Sequence, residues 1–237
     1  MLRSTRNLIY FSLMLVSIAG LSGNAWAAGG GTMGGSMDAA SSMPTEPKTP
    51  EQIATDDYNA GVKIIKDADE ALADAANATE PKKQQKAQDR AKKYFSKAQK
   101  KFESAVGQNT FMYQAWNYVG YCKRNLGDYS GALEAYDHAL DISPRYFEAI
   151  EYRGHAYLGL NRIDDAKQAY LDLFAGNRAL ADKLLVAMKS WVGTHRGNPQ
   201  GVDSVALEDF AKWVDERGAI ASNTTGLAPE GTLASWR

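Results

Sequence analysis

The side chains that most often do covalent or metal chemistry are few in this sequence, and they stand far apart. There are three histidines, His138, His155 and His195, and one cysteine, Cys122. None of the histidines lies in an H-E-x-x-H or comparable metal-binding spacing, and no nucleophile elbow, phosphate loop or dinucleotide-binding glycine pattern occurs. A single cysteine excludes an intrachain disulfide framework and a cysteine-based zinc cluster. We therefore predict a protein that is not an enzyme and has no cofactor and no metal site.

The composition is that of a folded chain with little overall charge. Its 237 residues are 44% hydrophobic and 23% charged, which is enough apolar material for a sizeable core. The formal net charge is -1, from 27 basic and 28 acidic residues. Bulk nucleic-acid binding needs a basic surplus or stripe, so nucleic acid is not an expected partner.

The N-terminus has the three parts of a secretory signal. Arg3 and Arg6 precede an apolar run over residues 8–21, and Ala25-Trp26-Ala27 provides the small residues that signal peptidase needs. The apolar run is about 14 residues, short of the ~20 that span a bilayer. Residues 1–27 are thus a predicted signal peptide of bacterial type, cleaved near Ala27. We expect a periplasmic or secreted protein with no transmembrane segment after cleavage.

Residues 28–50 have the composition of a flexible linker. Gly, Ser and Pro dominate this segment, and it has no apolar periodicity. It also contains Met33, Met37 and Met43. Spaced thioethers can ligate Cu(I), so copper binding is an alternative interpretation, although no His or Cys accompanies the methionines.

The rest of the chain has helical periodicity and repeats itself. From residue 51 to about residue 221 the apolar residues recur every three or four positions, which predicts an all-α fold. Residues 113–146 and 147–180 form two units with a period of 34 residues. The matching pairs are Ala115 and Ala149, Gly120 and Gly154, Leu126 and Leu160, Ala132 and Ala166, and Tyr136 and Tyr170. We expect the small residues to face each other where helices cross, Gly120 against Ala132 and Gly154 against Ala166.

This pattern resembles the tetratricopeptide repeat. The family's characteristic positions are occupied in the first unit by Trp116, Gly120, Ala132, Tyr136, Ala139 and Pro144. The second unit retains Ala149, Gly154, Tyr157, Ala166 and Tyr170, but Arg178 replaces the terminal proline. The resemblance implies an α-solenoid of antiparallel helix pairs, a fold that commonly presents an extended binding surface.

A further repeat lies upstream and is split by an insertion. Counting back one period from Ala132 and Tyr136 reaches Ala98 and Phe102, whereas the matching Gly61 lies 25 residues earlier than the period places it. Residues 51–112 are therefore predicted to form an elongated first hairpin that turns near Pro81.

The charges of this hairpin are segregated between its two arms. Residues 51–80 hold eight acids and two lysines, and residues 81–105 hold nine bases and two acids. Arms of opposite charge suit antiparallel pairing. Two other interpretations are left open, namely a basic tip that binds an anionic surface and self-association of the chain through the hairpin.

Two amphipathic helices are predicted after the second full repeat, over residues 179–194 and 205–219, with Asp203 as the N-cap of the second. Stacked repeats expose a core at their end, so these helices are expected to cover it. We assign residues 181–221 to capping helices and residues 222–237 to a flexible tail.

The resemblance also implies where a partner binds. In tetratricopeptide arrays the first helix of each pair lines a concave groove, and the usual peptide-contacting positions fall here on Gln114, Asn117, Tyr121, Arg124, Asn125, Glu148, Glu151 and His155. Leu158, with Tyr58 and Val62 of the first hairpin, extends this set. The family's carboxylate clamp for chaperone tails is not expected, because its lysines and asparagines are replaced by Tyr58, Val62, Tyr118, Glu148 and Tyr152.

The expected function is therefore a non-enzymatic exported scaffold that binds a peptide or helix of a cell-envelope or secreted protein in the groove. The alternatives are a structural protein that self-associates through the charged hairpin and an accessory subunit of an envelope enzyme complex. Homo-oligomerisation is left open.

Overall fold

The computed structural model describes residues 47–199 and 201–224, and in these ranges it has eight α-helices and no strand, which confirms the all-α prediction. The helices are α1 (Pro50–Asn77), α2 (Pro81–Gln108), α3 (Tyr113–Asn125), α4 (Tyr129–Ile142), α5 (Phe147–Gly159), α6 (Ile163–Gly176), α7 (Arg178–Gly197) and α8 (Ser204–Thr224). The predicted signal peptide, the methionines of the linker and residues 225–237 of the predicted tail lie outside the described residues.

The 34-residue period of the sequence reappears in the helix boundaries. The starts and ends of α5 and α6 are those of α3 and α4 displaced by one period. The turns within the two pairs match as well, since Gly127 and Asn161 occupy equivalent places and both have positive φ, at 90° and 58°. Glycine and asparagine are the residues that adopt this conformation most readily. The architecture is therefore repeat-like in the backbone as well as in the sequence.

The first hairpin consists of two 28-residue helices, α1 and α2, with a short turn that precedes Pro81. Thr49 begins α1 with a capping box, in which its hydroxyl accepts from the Gln52 backbone and the Gln52 side chain accepts from the Thr49 backbone. Alanines fill much of the seam between the helices, so the two backbones can approach closely. Those with at most 1% exposure are Ala54, Ala68, Ala71, Ala91, Ala98 and Ala105.

The helices pack in chain order. Each helix contacts the next, and α3 also contacts α5 while α5 contacts α7, so these three lie side by side. Buried side chains form one cluster among α1, α2 and α3 that also includes Ala135 of α4, a small one between α4 and α5, and a third that runs from α5 to α8. The core thus follows the stack from end to end.

An aromatic ring lies against a glycine at equivalent places in the first two hairpins. A Cβ placed on Gly61 would lie 2.7 Å from the ring of Phe102, and one on Gly120 would lie 2.5 Å from the ring of Tyr136. The atoms nearest Gly120 thus belong to Tyr136, and those nearest Gly154 belong to Leu184 and Ala169. A larger side chain, Tyr136 at Gly120 and Leu184 at Gly154, thus lies closer to each glycine than the alanine expected to face it.

The C-terminal helices cover the end of the core. Asp203 Oδ1 accepts hydrogen bonds from the backbone N–H groups of Val205 and Ala206, as expected of the N-cap of α8. The apolar face of α8 is buried at Leu207, Phe210, Ala211 and Val214. Helix α8 extends to Thr224, whereas the sequence pattern predicts that it ends at residue 219. None of the helices in the described ranges has the length and apolar character needed to cross a membrane.

The glycine–ring contact predicts opposite effects for two Gly→Ala changes. Gly120→Ala would force the fully buried Tyr136 ring to move, so we expect the free energy of unfolding to fall by about 1–3 kcal/mol. Gly107→Ala in α2 has nothing within 4 Å of the new methyl group, and it should raise stability by up to about 1 kcal/mol through helix propensity. Urea denaturation of both variants measures the difference. Equal stabilisation by both would show that the crossing is looser than described.

Candidate functional site

The eight predicted groove residues lie on α3 and α5, but they differ greatly in exposure. Glu148 is exposed, while Gln114, Tyr121, Asn125 and His155 are half-buried. Asn117, Arg124 and Glu151 are only 2%, 6% and 6% exposed. Leu158 is also buried. The structure therefore brings the predicted residues to neighbouring helices, and it places three of them in the interior rather than at a surface open to a partner.

Arg124 is the centre of a buried ionic cluster. Its guanidinium carbon lies 5.3 Å from the centroid of the Tyr121 ring and 5.7 Å from that of Tyr152, within range of a cation–π interaction. Burial by itself lowers the pKa of Arg124, but the neighbouring Tyr136, Tyr121 and Glu151 outweigh it and raise the pKa. The arginine is therefore held charged inside the protein.

Asp69 extends the ionic cluster to α1. Tyr121 donates its hydroxyl hydrogen bond to Asp69 Oδ1 across 2.9 Å, which links α3 to α1. Burial raises the pKa of Asp69 above its usual value, and the Tyr121 hydrogen bond and the charge of Arg124 offset part of that increase. Burial, with the charge of Asp69 beside it, raises the pKa of Tyr121 well above 10. The phenol therefore stays protonated and continues to donate.

Glu151 and His155 complete the ionic cluster on α5. His155 Nε2 lies 2.7 Å from Glu151 Oε1, one helical turn away. Asn117 is buried nearby on α3, and its Oδ1 makes no hydrogen bond to any residue in the described ranges. The ionic cluster, Asp69, Tyr121, Arg124, Glu151 and His155, thus joins three helices through polar groups, which specify one relative placement better than apolar contacts do.

Four half-buried tyrosines form a second feature, which we call the tyrosine patch. Its members are Tyr58 of α1, Tyr113 and Tyr118 of α3, and Tyr146 just before α5. The rings of Tyr58 and Tyr118 meet edge to face at 5.9 Å between centroids, and those of Tyr113 and Tyr146 meet in the same way at 4.9 Å.

The two pairs of the tyrosine patch lie close enough to influence each other's ionisation. Burial raises the pKa of Tyr118 to about 12, and the charges of Tyr58 and Glu148 contribute to that increase. Burial likewise raises the pKa of Tyr146, with contributions from Glu148, Tyr118 and Tyr58. The exposed carboxylate of Glu148 therefore acts electrostatically on the phenols of Tyr118 and Tyr146, and a carboxylate together with aromatic faces attracts cations.

Sequence reasoning identified Tyr58 but did not include Tyr113, Tyr118 or Tyr146 among the groove residues, and it did not include Asp69. Tyr113, Tyr146 and Asp69 are at positions that the repeat pattern does not mark as partner contacts, and Tyr118 was named only as a replacement in the carboxylate clamp. The composition gave one signal for a tyrosine-rich surface, since the sequence has 12 tyrosines in 237 residues. Their convergence depends on the contact between α1, α3 and α5, which no local pattern encodes.

Neither protein-family models nor curated proteins yield a match to this sequence. Among the described residues there is no group of three or more His, Cys, Asp or Glu side chains arranged to hold a metal ion. The groups that the site presents are phenol hydroxyls, aromatic faces and the exposed carboxylate of Glu148.

The ionic cluster predicts strong coupling between Arg124 and Glu151. Arg124→Met removes the buried cation whose charge acts on Glu151 and leaves that carboxylate with His155 as its partner, and we expect a loss of about 3–5 kcal/mol in the free energy of unfolding. Adding Glu151→Gln removes the uncompensated charge and should restore part of that loss. A double-mutant cycle by urea denaturation tests this. Strictly additive effects would mean that the two charges do not interact.

The acids of the first hairpin predict two opposite pH dependences. The raised pKa of Asp69 means that its contribution to stability falls as pH rises from about 3.8 through the folded-state pKa. In Asp57 the hydrogen bonds from Lys101 and Ser104 lower the pKa, so its contribution is present above about pH 3.8 and is lost as pH falls through the folded-state pKa.

The measurement is the stability of Asp69→Asn and Asp57→Asn relative to the unmodified chain between pH 3 and 7, by urea denaturation. With rising pH the Asp69→Asn variant should gain stability relative to the unmodified chain, and the Asp57→Asn variant should lose it. Curves that change in the same direction would contradict the described surroundings of one of these carboxylates.

Proposed function

We propose that this chain is a non-enzymatic exported scaffold of the tetratricopeptide type. It binds a peptide segment or helix of another cell-envelope or secreted protein on the side formed by α1, α3 and α5. The displacement of α5 and α6 from α3 and α4 by one 34-residue period supports the repeat assignment, and so does the glycine–ring contact that recurs at Gly61 and Gly120. The N-terminal sequence, with its basic start and short apolar run, supports export.

The observation that carries the binding proposal is the tyrosine patch. Tyrosine combines a large rigid apolar face with a hydrogen-bonding hydroxyl, and it is enriched at positions that dominate binding energy. All four rings retain partial exposure, and three of the helices contribute to or adjoin them. Arg124 and Glu151, being buried, serve in this proposal to hold the helices that present the tyrosine patch.

The charge of the site suggests the chemistry of the partner. The carboxylate of Glu148 is exposed two residues after Tyr146, whereas the cation of Arg124 is buried. Arg145 is also exposed, and its guanidinium carbon lies 6.0 Å from the centroid of the Phe147 ring. A lysine or arginine of the partner can pair with the carboxylate and can also lie over a phenol ring. Both contacts favour a positive charge. The proposed ligand is therefore a segment with a basic residue beside apolar ones.

A peptide selection tests this proposal. We expect a displayed random-peptide library, selected on the purified chain, to yield sequences enriched in lysine or arginine. Glu148→Lys should weaken binding of a selected synthetic peptide by about tenfold or more, as measured by isothermal titration calorimetry. Tyr113→Ala should also weaken it, with circular dichroism used to confirm that this variant is folded.

The matched control is Glu134→Lys, which makes the same change of charge at an exposed position of α4. Its affinity should stay within about twofold of the unmodified chain, since α4 does not contribute to the tyrosine patch. If Glu134→Lys weakened peptide binding as much as Glu148→Lys, the loss of affinity would come from the change in net charge and not from the tyrosine patch. A selection without enriched peptides would refute peptide recognition on this face.

A further inference from the structure

A row of lysines occupies the outermost side of α2, away from the face proposed to bind a partner. The lysine stripe consists of Lys82, Lys86, Lys93, Lys97 and Lys100, all exposed. At 3.6 residues per turn these five positions fall within about 60° of one another around the helix axis and extend about 27 Å along it. The buried side of α2, from Ala87 to Ala105, is roughly opposite.

The acids of the first hairpin do not neutralise the lysine stripe. Three other bases of α2 are ion-paired to the neighbouring arm or turn: Lys83 with Glu80, Arg90 with Asp74, and Lys101 with Asp57. None of the five stripe lysines has an ion-pair partner among residues 47–199 and 201–224. Asp89 interrupts the same face, where it accepts a hydrogen bond from Gln85.

The beginning of α2 increases the positive charge at one end of the lysine stripe. The helix has no acidic residue in its first turn and no side-chain cap from Glu80, and it carries Lys82 and Lys83 there. The N-terminus of a helix is already the positive end of its dipole, so lysines at this place reduce helix stability. A sequence that departs from the stabilising pattern in this way indicates that the charge has another use.

We propose that the lysine stripe docks the protein on an anionic lipid bilayer. A straight row on the outermost side of a 28-residue helix can bring all five ammonium groups to a flat surface at once. Lysine is a compact point charge suited to a diffuse anionic surface, and the stripe has neither arginines for bidentate phosphate contacts nor aromatic rings for base stacking. Without apolar side chains in the row, the helix adsorbs to the headgroups and does not insert.

A shallow depression at the end of the lysine stripe fits this occupant. It measures about 350 Å³ and is lined by Ile64, Lys97, Lys100, Lys101 and Ser104. Lys97 and Lys100 of the lysine stripe therefore flank one concave spot with an apolar side chain, while Lys101 beside them is ion-paired with Asp57. A phospholipid phosphate can lie between the lysines there while the rest of the row contacts neighbouring headgroups.

Vesicle co-sedimentation of the full chain tests the proposal. Phosphatidylcholine vesicles with about one-third phosphatidylglycerol should bind the chain at about 50 mM salt and release most of it at about 500 mM, because screening weakens surface charge interactions. Vesicles of phosphatidylcholine alone measure any adsorption through the apolar N-terminal residues. Each lysine near an anionic surface strengthens adsorption about fivefold, so replacing all five by Gln should weaken it at least about 100-fold.

A variant with the same change of net charge is the control. Lys48, Lys63, Lys66, Lys189 and Lys212 are also exposed but lie off the lysine stripe, and their replacement by Gln should reduce vesicle binding by less than about tenfold. The double change Lys93→Glu and Lys97→Glu is a second test of the stripe, with far-UV circular dichroism to confirm folding. Neither stripe variant should affect binding of the selected peptide, which separates this proposal from the proposed function.

Several results would overturn the proposal. Equal loss in the stripe and control variants would mean that only net charge matters. Binding to dextran sulfate or DNA without binding to anionic vesicles would identify a linear polyanion as the occupant instead. A salt-sensitive dimer in analytical ultracentrifugation that the stripe variant abolishes, with no vesicle binding, would identify a second copy of the chain.

Discussion

The structure depends on a steric constraint, the close crossing of paired helices at a glycine. Where Gly61 meets Phe102 and Gly120 meets Tyr136, the ring occupies the space that a Cβ would fill. The large buried ring supplies apolar contact, and the missing methyl group lets the backbones approach. Because these contacts leave little room for a shift along the helix, they help determine the register of the first two hairpins. The register in turn decides which side chains meet between one hairpin and the next.

The ionic cluster is a consequence of that register. Tyr121 and Tyr152 lie against Arg124 only when α3 and α5 are in the observed register, and Tyr121 reaches Asp69 only when α1 is also in place. A buried charge is costly unless it is compensated, so a displaced helix would leave Arg124 or Glu151 uncompensated. Apolar contacts contribute most of the stability, whereas the ionic cluster penalises alternative arrangements. Its buried members Arg124 and Glu151 therefore support the half-buried tyrosine patch without being accessible themselves.

The near-neutral net charge conceals two surfaces of opposite character. The carboxylate of Glu148 lies beside the tyrosine patch, and the lysine stripe lies on the outer side of α2. Ion pairs between α1 and α2 neutralise bases that face α1, as in the pair between Lys101 and Asp57. The lysines of the lysine stripe, on the outer side of α2, have no ion pair in the described part of the chain. Two proposed activities, recognition of a basic segment and adsorption to an anionic bilayer, can thus coexist on one chain because they use different sides of it.

The sequence alone determined the elements of this fold. The helical period of the apolar residues, the turn before Pro81, the cap at Asp203 and the 34-residue repeat are local or periodic signals, and the helices follow them to within a few residues. The candidate site could be predicted only in part. The repeat pattern led to Tyr121, Arg124 and Glu151, since it identifies which helices face a common side.

Only the tertiary structure decided which of those residues are accessible. Arg124 and Glu151 are buried because side chains from other helices cover them, and Tyr121 meets Asp69 across 52 positions of the chain. The nearest neighbour of Gly120 is Tyr136 and not Ala132, because that contact depends both on the size of the ring and on how the two helices cross. Burial and pairing of this kind depend on the simultaneous placement of several helices, and no single segment of sequence contains that information.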